Sequence, residues 1–304
     1  MILLQQMMIL FLLMLVGYCC RKCGIFNDEA NKRLSSLVVN VANPALILSS
    51  GINQDSSIRG MEFVKVFALA WCMFGGLLLV AEVLPRVLRV PAKEQGVYKA
   101  MTVFSNIGFM GFPVIQAVYG NEALLYAALF LIPFNVLIYT YGISVMDTRG
   151  EKKKFEISKV LNVGVIACVL ALIIYLVGVP VPHVLDSAVD MVSSLTAPLS
   201  MMIIGDSLAK IDLIKLFLNG RMLLFSAVKL VLLPLAGVSL VKLLGLDPKL
   251  LGVCLIMLST PVGSMTAMLA QEYGGDYELA SQGVTITTIL AVATMPLVSI
   301  LLGV

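Results

Sequence analysis

The chain has 304 residues, of which 60% are hydrophobic and only 13% are charged. A soluble domain of this length would carry about 25% charged residues. The composition therefore excludes a soluble protein and indicates an all-α polytopic membrane protein. The net charge of +3 says little by itself, and we expect no nucleic-acid partner. There is no His-Glu-x-x-His motif. With His183 as the single histidine, we expect no enzymatic activity.

Runs with few or no charged residues divide the chain into membrane spans joined by short loops. The loops leave no room for a soluble domain. We interpret the runs as ten transmembrane helices: Met1–Cys20, Leu34–Gln54, Val66–Ala81, Ala100–Asn121, Ala123–Met146, Val160–Pro182, Met191–Gly205, Met222–Val241, Leu250–Gln271 and Leu279–Val304.

Lysine and arginine concentrate in alternate loops, namely the first, third, fifth and seventh. The second, fourth, sixth and eighth loops hold only Arg59, Lys65, Lys242 and Lys249. Excess positive charge marks the cytoplasmic side of a cell membrane, so both termini are predicted outside. The ninth loop, Gln271–Glu278, is predicted to be cytoplasmic but carries acidic and no basic residues. Acidic residues contribute little to this rule, so the predicted orientation is kept.

The cysteines indicate neither a disulfide framework nor a metal site. Three lie within apolar runs, where cysteine is ordinarily a small packing residue, and three lie at the cytoplasmic end of the first run, where thiols stay reduced. His183 falls on the opposite face of the membrane. We therefore expect no cofactor and no bound metal.

The stretch Ser105–Val114 contains two glycines, a proline and an asparagine within a charge-free run. Pro113 lacks an N–H group and its ring crowds the carbonyl four residues back, so the helix should break or kink just upstream. In hydrocarbon, the backbone groups that such a break frees must find partners. We therefore interpret this break as a solute site.

Proline and polar interruptions of the apolar runs recur at a fixed spacing in the two halves of the chain. Pro44 interrupts the second run and Pro198 the seventh, 154 residues later. The same offset carries Ser105-Asn106 onto Ser259-Thr260, which Pro261 follows in the ninth run. The predicted helix-breaking residues are thus Pro113, Pro261, Pro44 and Pro198.

An offset of half the chain, with five spans in each half, turns the second half upside down in the membrane. Inverted repeats of this kind are common in secondary transporters. The predicted organisation is a first five-helix repeat at 1–147, a basic cytoplasmic linker at 148–158 and a second five-helix repeat at 159–304.

Polar residues at the breaks are candidates for substrate binding. Asn106 and Thr260 have the chemistry to donate to a carboxylate beside half-helix N-termini, or simply to bridge neighbouring helices. Gly108 permits either approach of a solute or close helix packing. Asn43 either faces the site or satisfies a carbonyl loosened by Pro44. The candidate substrate-binding residues are Ser105, Asn106, Gly108, Ser259, Thr260 and Asn43.

Two charged residues are candidates for coupling transport to an ion. Lys229 is the only charge well inside a predicted span, so it is either functional or long enough to snorkel to the interface near Arg221. Glu82 is the second candidate. Glu82 and Asp206 both end their runs, which favours an interfacial position for each.

Both halves of the chain carry several recognisable motifs: Ser105-Asn106-x-Gly108-Phe109-x-Gly111-x-Pro113-Val114, Gly120, Pro261, Ala267, Tyr273-Gly274-x-Asp276, Ala280-Ser281, Val284-Thr285-x-Thr287-Thr288, Met295-Pro296, Asn43–Leu46 and Gly205-x-Ser207-Leu208-Ala209. In these motifs the chain resembles the auxin efflux carrier family, which includes plant PIN-type carriers and bacterial malate or malonate permeases. The short central loop resembles the compact bacterial members.

This resemblance implies ten helices in two inverted five-helix repeats, with broken helices four and nine crossing at mid-membrane. It implies a scaffold of helices one, two, six and seven, and a moving transport domain of helices three to five and eight to ten. Asn106 matches the substrate-contacting asparagine of the family, and Thr260 or a neighbour replaces the second asparagine of the plant members.

We therefore predict a secondary transporter of a small organic anion, a mono- or dicarboxylate, that works by elevator-like alternating access in the lipid bilayer. The alternative is a channel or membrane sensor that binds the same ligand without carrier activity. The sequence leaves open proton or sodium coupling and assembly as a homodimer.

Overall fold

A computed structural model describes residues 2–52, 61–147, 162–210 and 217–304. Within these ranges the chain is helical, and its one extended pairing is an isolated antiparallel bridge between Ser105 and Val262. Seven described helices are long and apolar enough to cross a membrane, and three shorter apolar helices accompany them. The all-α expectation is therefore confirmed. The predicted linker 148–158 lies outside the described residues.

The first part of the described chain forms eight α-helices. With the π turns between them, they are α1 (Ile2–Lys22), α2 (Asp28–Leu37), the π turn Val38–Ala42, α3 (Asn43–Ile52), α4 (Met61–Val87), α5 (Gln95–Val103), the π turn Ile107–Gly111, α6 (Phe112–Tyr119), α7 (Asn121–Leu137), the π turn Ile138–Gly142 and α8 (Ile143–Met146). A π-helical turn directly precedes three of these helices, α3, α6 and α8.

The later part of the chain continues in the same style. It contains α9 (Val163–Val177), α10 (His183–Ser193), α11 (Thr196–Leu208), α12 (Gly220–Ala227), the π turn Val228–Leu232, α13 (Leu233–Lys242), α14 (Pro248–Ser259), α15 (Ser264–Tyr273) and α16 (Tyr277–Leu302).

Several π turns are explained by the prolines that follow them. A proline in an α-helix crowds the carbonyl four residues earlier, and a wider turn relieves this crowding because the bond skips to the fifth residue. The turns at 38–42, 107–111 and 228–232 each end two residues before a proline, namely Pro44, Pro113 and Pro234.

Pro44 therefore does not interrupt its helix, contrary to the sequence-based prediction, because residues 28–52 stay helical through the π turn. Pro198 lies in the first turn of α11, where a missing N–H group removes no helical bond.

The helices group into two compact units. The first consists of the described residues within Met1–Val66, Ile107–Ile132 and Leu161–Ile211. The second consists of those within Phe67–Asn106, Pro133–Val160 and Asp212–Val304. The division into two inverted repeats stays a prediction.

Glycines allow close helix packing in the first unit. A Cβ atom on Gly17 of α1 would lie 2.1 Å from the carbonyl oxygen of Met202 in α11. Conversely, a Cβ atom on Gly205 of α11 would lie 1.9 Å from the carbonyl oxygen of Met14. Small residues at such contacts let backbones approach in membrane proteins, and here they fix α1 against α11.

Asp206 is a buried charge in the first unit, and its interfacial position stays a prediction. Its carboxylate is fully buried, 3.2 Å from Lys210 Nζ and 3.7 Å from Arg21 Nη1. The Asn31 amide also donates to it. The exposed Asp28 binds the same two cations, at 2.7 Å and 2.9 Å. The network links α1, α2 and α11.

Helix α16 is central to the second unit, where it packs against α5, α12, α13, α14 and α15. Another close approach joins α5 to α8, since a Cβ atom on Gly96 would lie 2.0 Å from the carbonyl oxygen of Val145. The contacts of α16 hold α5, α14 and α15 together, and the candidate site lies where α5 and α14 end and α15 begins.

Candidate functional site

Two helical segments of the second unit are interrupted at matching places. Non-helical residues Phe104–Asn106 follow α5, and non-helical residues Thr260–Gly263 separate α14 from α15. The first interruption falls earlier than Pro113 alone predicted, since only the π turn lies directly before that proline. Pro261 lies within the second interruption.

The two interruptions pair with each other through their backbones. The N–H group of Asn106 donates to the carbonyl oxygen of Pro261 at 2.7 Å, and the N–H group of Gly263 donates to Phe104 at 2.9 Å. Ser105 and Val262 therefore face each other in an antiparallel bridge. These bonds satisfy backbone groups that the breaks free inside an apolar environment.

Gly263 suits this close approach. A Cβ atom at this position would lie 3.0 Å from the carbonyl oxygen of Ser105 and 3.2 Å from its carbonyl carbon. A side chain at residue 263 would therefore fit only if the paired backbone shifted by a few tenths of an ångström.

Thr287 of α16 anchors the second interruption. Its hydroxyl is fully buried, accepts a hydrogen bond from the Val262 N–H group at 3.0 Å and donates to the Gly283 carbonyl at 2.7 Å. The motif containing Thr287 was noticed in the sequence, but this anchoring role was not. The two adjacent threonines in an apolar run were the available signal.

Lys229 lies in the π turn Val228–Leu232 and is 0% exposed. Its Nζ atom donates to the Thr102 carbonyl at 3.0 Å and to Ser105 Oγ at 2.8 Å. Across the described residues it forms no ion pair with a carboxylate. The snorkelling interpretation was therefore wrong, and the Lys229 amino group lies directly against the first interruption.

The side-chain amide of Asn106 forms no hydrogen bond with any residue that the structure describes. The residue is only 4% exposed. Buried amides are ordinarily hydrogen-bonded, and this one keeps two donors and an acceptor available. Asn106 is therefore the leading candidate to contact a solute.

The other hydroxyls at the interruptions differ in their availability. Thr260 Oγ1 donates to the Met257 carbonyl at 3.0 Å and so caps the end of its own helix. Ser259 Oγ is buried and has no hydrogen-bond partner within the described chain. Ser105 accepts from Lys229 but keeps its own hydroxyl hydrogen.

Helix dipoles add to the electrostatics of the crossing. The N-terminus of α15 follows the second interruption directly, and its N-cap, Gly263, makes no side-chain capping bond. The free N–H groups of a helix N-terminus favour negative charge. Helix α5 ends at the crossing with the opposite polarity, which Lys229 offsets.

Asn43 and Gly108 belong to the first unit and contact each other there. A Cβ atom on Gly108 would lie 3.2 Å from Asn43 Nδ2, which supports the close-packing interpretation of this glycine. Asn43 Oδ1 is buried and has no hydrogen-bond partner among the described residues. Helix α11 packs on the π turn Ile107–Gly111.

Glu82 does not end its helix, since α4 continues to Val87. Its carboxylate lies 2.6 Å from Lys99 Nζ and accepts a hydrogen bond from the Tyr141 hydroxyl at 2.9 Å. The side chain is 42% exposed. Its contacts link α4 to α5 and to the π turn Ile138–Gly142, and none of its hydrogen bonds within the described residues is with Lys229.

The described chain combines apolar helices long enough to span a membrane with two helix interruptions that pair through their backbones and carry polar groups. This combination is typical of polytopic membrane transport proteins. The profile of a family described as "membrane transport protein" matches residues 2–164 and 152–299. The chain belongs to this family, and its resemblance to the auxin efflux carriers is thereby confirmed.

Curated relatives match along nearly the whole chain. An uncharacterized transporter of Methanocaldococcus jannaschii is 26% identical over 98% of this chain and 98% of its own. One from Methanothermobacter thermautotrophicus is 25% identical over 98% of both. A Rhizobium meliloti protein named "Putative malonate transporter" is 24% identical over 94% of this chain and 91% of its own. The chain is thus a multi-pass membrane protein of a transporter family.

Proposed function

We propose that this protein is a secondary transporter of a small organic anion, a mono- or dicarboxylate, bound where the two interrupted helices cross. The observation that supports this most strongly is the buried Lys229 at Ser105, together with the unpartnered amide of Asn106. Carriers of this general type hold substrate between broken helices near the middle of the bilayer.

The electrostatics favour a carboxylate over a neutral or cationic solute. Lys229 supplies one positive charge with no acidic partner in the described chain, and the N-terminus of α15 supplies partial positive charge. A cationic solute would meet like charge in a medium of low dielectric constant. Asn106 then donates to a carboxylate oxygen, and the Ser259 hydroxyl is available as a further donor to the same anion.

Malonate is the first compound to test, because the name of the Rhizobium meliloti relative mentions malonate transport. Malonate carries two carboxylates separated by one carbon. One carboxylate is proposed to accept from Asn106, and the other to remain near the free N–H groups at the start of α15.

The proposed carrier has ten transmembrane helices in two inverted five-helix repeats, with both termini outside the cell membrane. Helices one, two, six and seven act as the scaffold, and helices three to five and eight to ten move with the substrate. The matching offsets of Pro44 to Pro198 and of Asn106 to Thr260 support the inverted arrangement.

Uptake and counterflow of radiolabelled malonate in proteoliposomes test this function. A carrier gives saturable uptake, and unlabelled malonate inside the vesicles accelerates entry of the label. Asn106→Ala is expected to lose uptake while remaining folded. Asn40→Ala is the matched control, because the amide of Asn40 is exposed and bonds Ser36 within its own helix.

The other outcomes each contradict the carrier. Uptake proportional to malonate concentration, without counterflow, would indicate a channel. Stabilisation by malonate without any flux would indicate a sensor. Normal uptake by Asn106→Ala would remove the proposed site.

A further inference from the structure

Lys229 shows an unusual choice of partners for a buried charge. Taking an ammonium group out of water is costly unless it is paired. Its described partners are nevertheless neutral oxygens, the Thr102 carbonyl at 3.0 Å and Ser105 Oγ at 2.8 Å. An ammonium group has three donors, so these two bonds do not exhaust it.

The position of these oxygens explains why a cation is stable there. Thr102 lies in the last turn of α5, whose carbonyl groups at the C-terminus have no helical partners. Ser105 lies in the interruption that follows. A backbone carbonyl at the end of a half-helix and a nearby hydroxyl are oxygen ligands of the kind that hold the coupling sodium ion in transporters with broken helices.

From this geometry we infer that the Lys229 ammonium is a tethered cation that occupies a monovalent-cation site at the end of α5, so that this carrier binds its anion without sodium. The inference deepens the proposed function and rests on it only for the transport measurement. On this inference, the Lys229 side chain alone makes a coupling sodium ion unnecessary.

Among the described residues, no lysine or arginine side chain donates to the second interruption. The end of α14 is capped by the neutral hydroxyl of Thr260, which donates to the Met257 carbonyl at 3.0 Å. A cation is therefore built into one half-helix end of the crossing while a neutral group caps the other.

The π turn supplies the required placement of the side chain. Lys229 lies in the turn Val228–Leu232, which widens the helix ahead of Pro234. A π turn changes the direction in which the side chains around it point, and such turns are frequent at functional sites. Helix α16 packs on this turn and on α5, which holds the lysine and its acceptors together.

The test is thermal unfolding of the purified full-length protein in chloride salts of equal ionic strength. The cation is choline, sodium or methylammonium. Lys229→Ala removes the tethered ammonium and opens its space, so its Tm should be low in choline. Sodium or methylammonium should raise that Tm progressively with the logarithm of concentration, as expected for a ligand that binds the folded state.

Two variants serve as controls. Lys229→Met fills the space without charge, so its Tm should be low in all three salts. Lys242→Ala removes an exposed lysine whose Nζ atom donates to the Leu302 carbonyl at 2.9 Å, and its Tm should not respond to the cation. The wild-type Tm should also be the same in sodium and choline.

A Lys229→Ala protein with the same Tm in all three salts would overturn the inference, as would its failure to fold in any of them. A saturable rise of the wild-type Tm in sodium over choline would also overturn it. In proteoliposomes, wild-type malonate uptake should persist when choline replaces sodium. An absence of all malonate uptake would contradict the proposed function while leaving the unfolding test intact.

Discussion

Replacement of Thr287 by valine tests whether α16 holds the second helix interruption in place. The Thr287 hydroxyl accepts from the Val262 N–H group at 3.0 Å and donates to the Gly283 carbonyl at 2.7 Å. Valine keeps the branched shape but removes the hydroxyl. The N–H group of Val262 then loses its acceptor inside the protein.

The magnitude follows from this single orphaned donor. Leaving a buried N–H group unsatisfied costs about 1–3 kcal/mol, although hydrogen bonds in membrane proteins average about 0.6 kcal/mol. The Gly283 carbonyl loses only a second bond, because it also belongs to a helix. We therefore expect Thr287→Val to lower the free energy of unfolding by about 1–2 kcal/mol.

The neighbouring Thr288 provides a matched control. It is equally buried, at 1% exposure, and its hydroxyl donates to the Val284 carbonyl at 2.7 Å. No described N–H group donates to it. Thr288→Val should therefore cost about 0.5 kcal/mol or less, since such bonds to a carbonyl of the same helix contribute little.

The assay is reversible unfolding in mixed micelles, together with malonate binding by each variant. Thr287→Val should lose both stability and affinity, because the interruption carries the proposed site. Equal effects of Thr287→Val and Thr288→Val would refute the argument, since the contact with Val262 is what distinguishes them.

Two further substitutions test the packing of the first unit by the same unfolding assay. Gly205→Ala places a Cβ atom 1.9 Å from the Met14 carbonyl oxygen and should destabilise by about 1–3 kcal/mol, whereas Gly75→Ala meets nothing within 4 Å and should not; equal stability of the two variants would contradict the close contact of α1 and α11. Asp206→Asn removes the fully buried partner of two cations and should cost about 2 kcal/mol or more, whereas Asp28→Asn, at an exposed position, should have little effect; a greater loss from Asp28→Asn would contradict this assignment.

The sequence located the polar interruptions because proline, glycine and asparagine are local signals in an apolar run. It located their boundaries less well. Pro113 predicted a break just upstream, but the residues directly before it form a π turn, and the non-helical backbone lies at Phe104–Asn106. The position of that segment depends on pairing with Pro261 and Gly263, which are distant in sequence.

Contacts between residues distant in sequence also determine the burial of Lys229 and Asp206, which the sequence alone did not predict. From the sequence, Lys229 was as compatible with snorkelling as with function, because its distance from the span end allowed both. Its burial depends on the acceptors Thr102 and Ser105 in another helix. The burial of Asp206 likewise depends on Arg21, a cation distant from it in sequence.

The most direct test of the central claim is the binding isotherm of malonate for the purified wild-type protein and for Asn106→Ala. The Asn106 side chain has no hydrogen bond within the described protein, so its removal should leave the unfolding temperature close to that of the wild type. A lost hydrogen bond to a charged ligand costs about 1.5–3 kcal/mol, which predicts an affinity at least about tenfold weaker. Equal affinities for the two proteins would contradict the account.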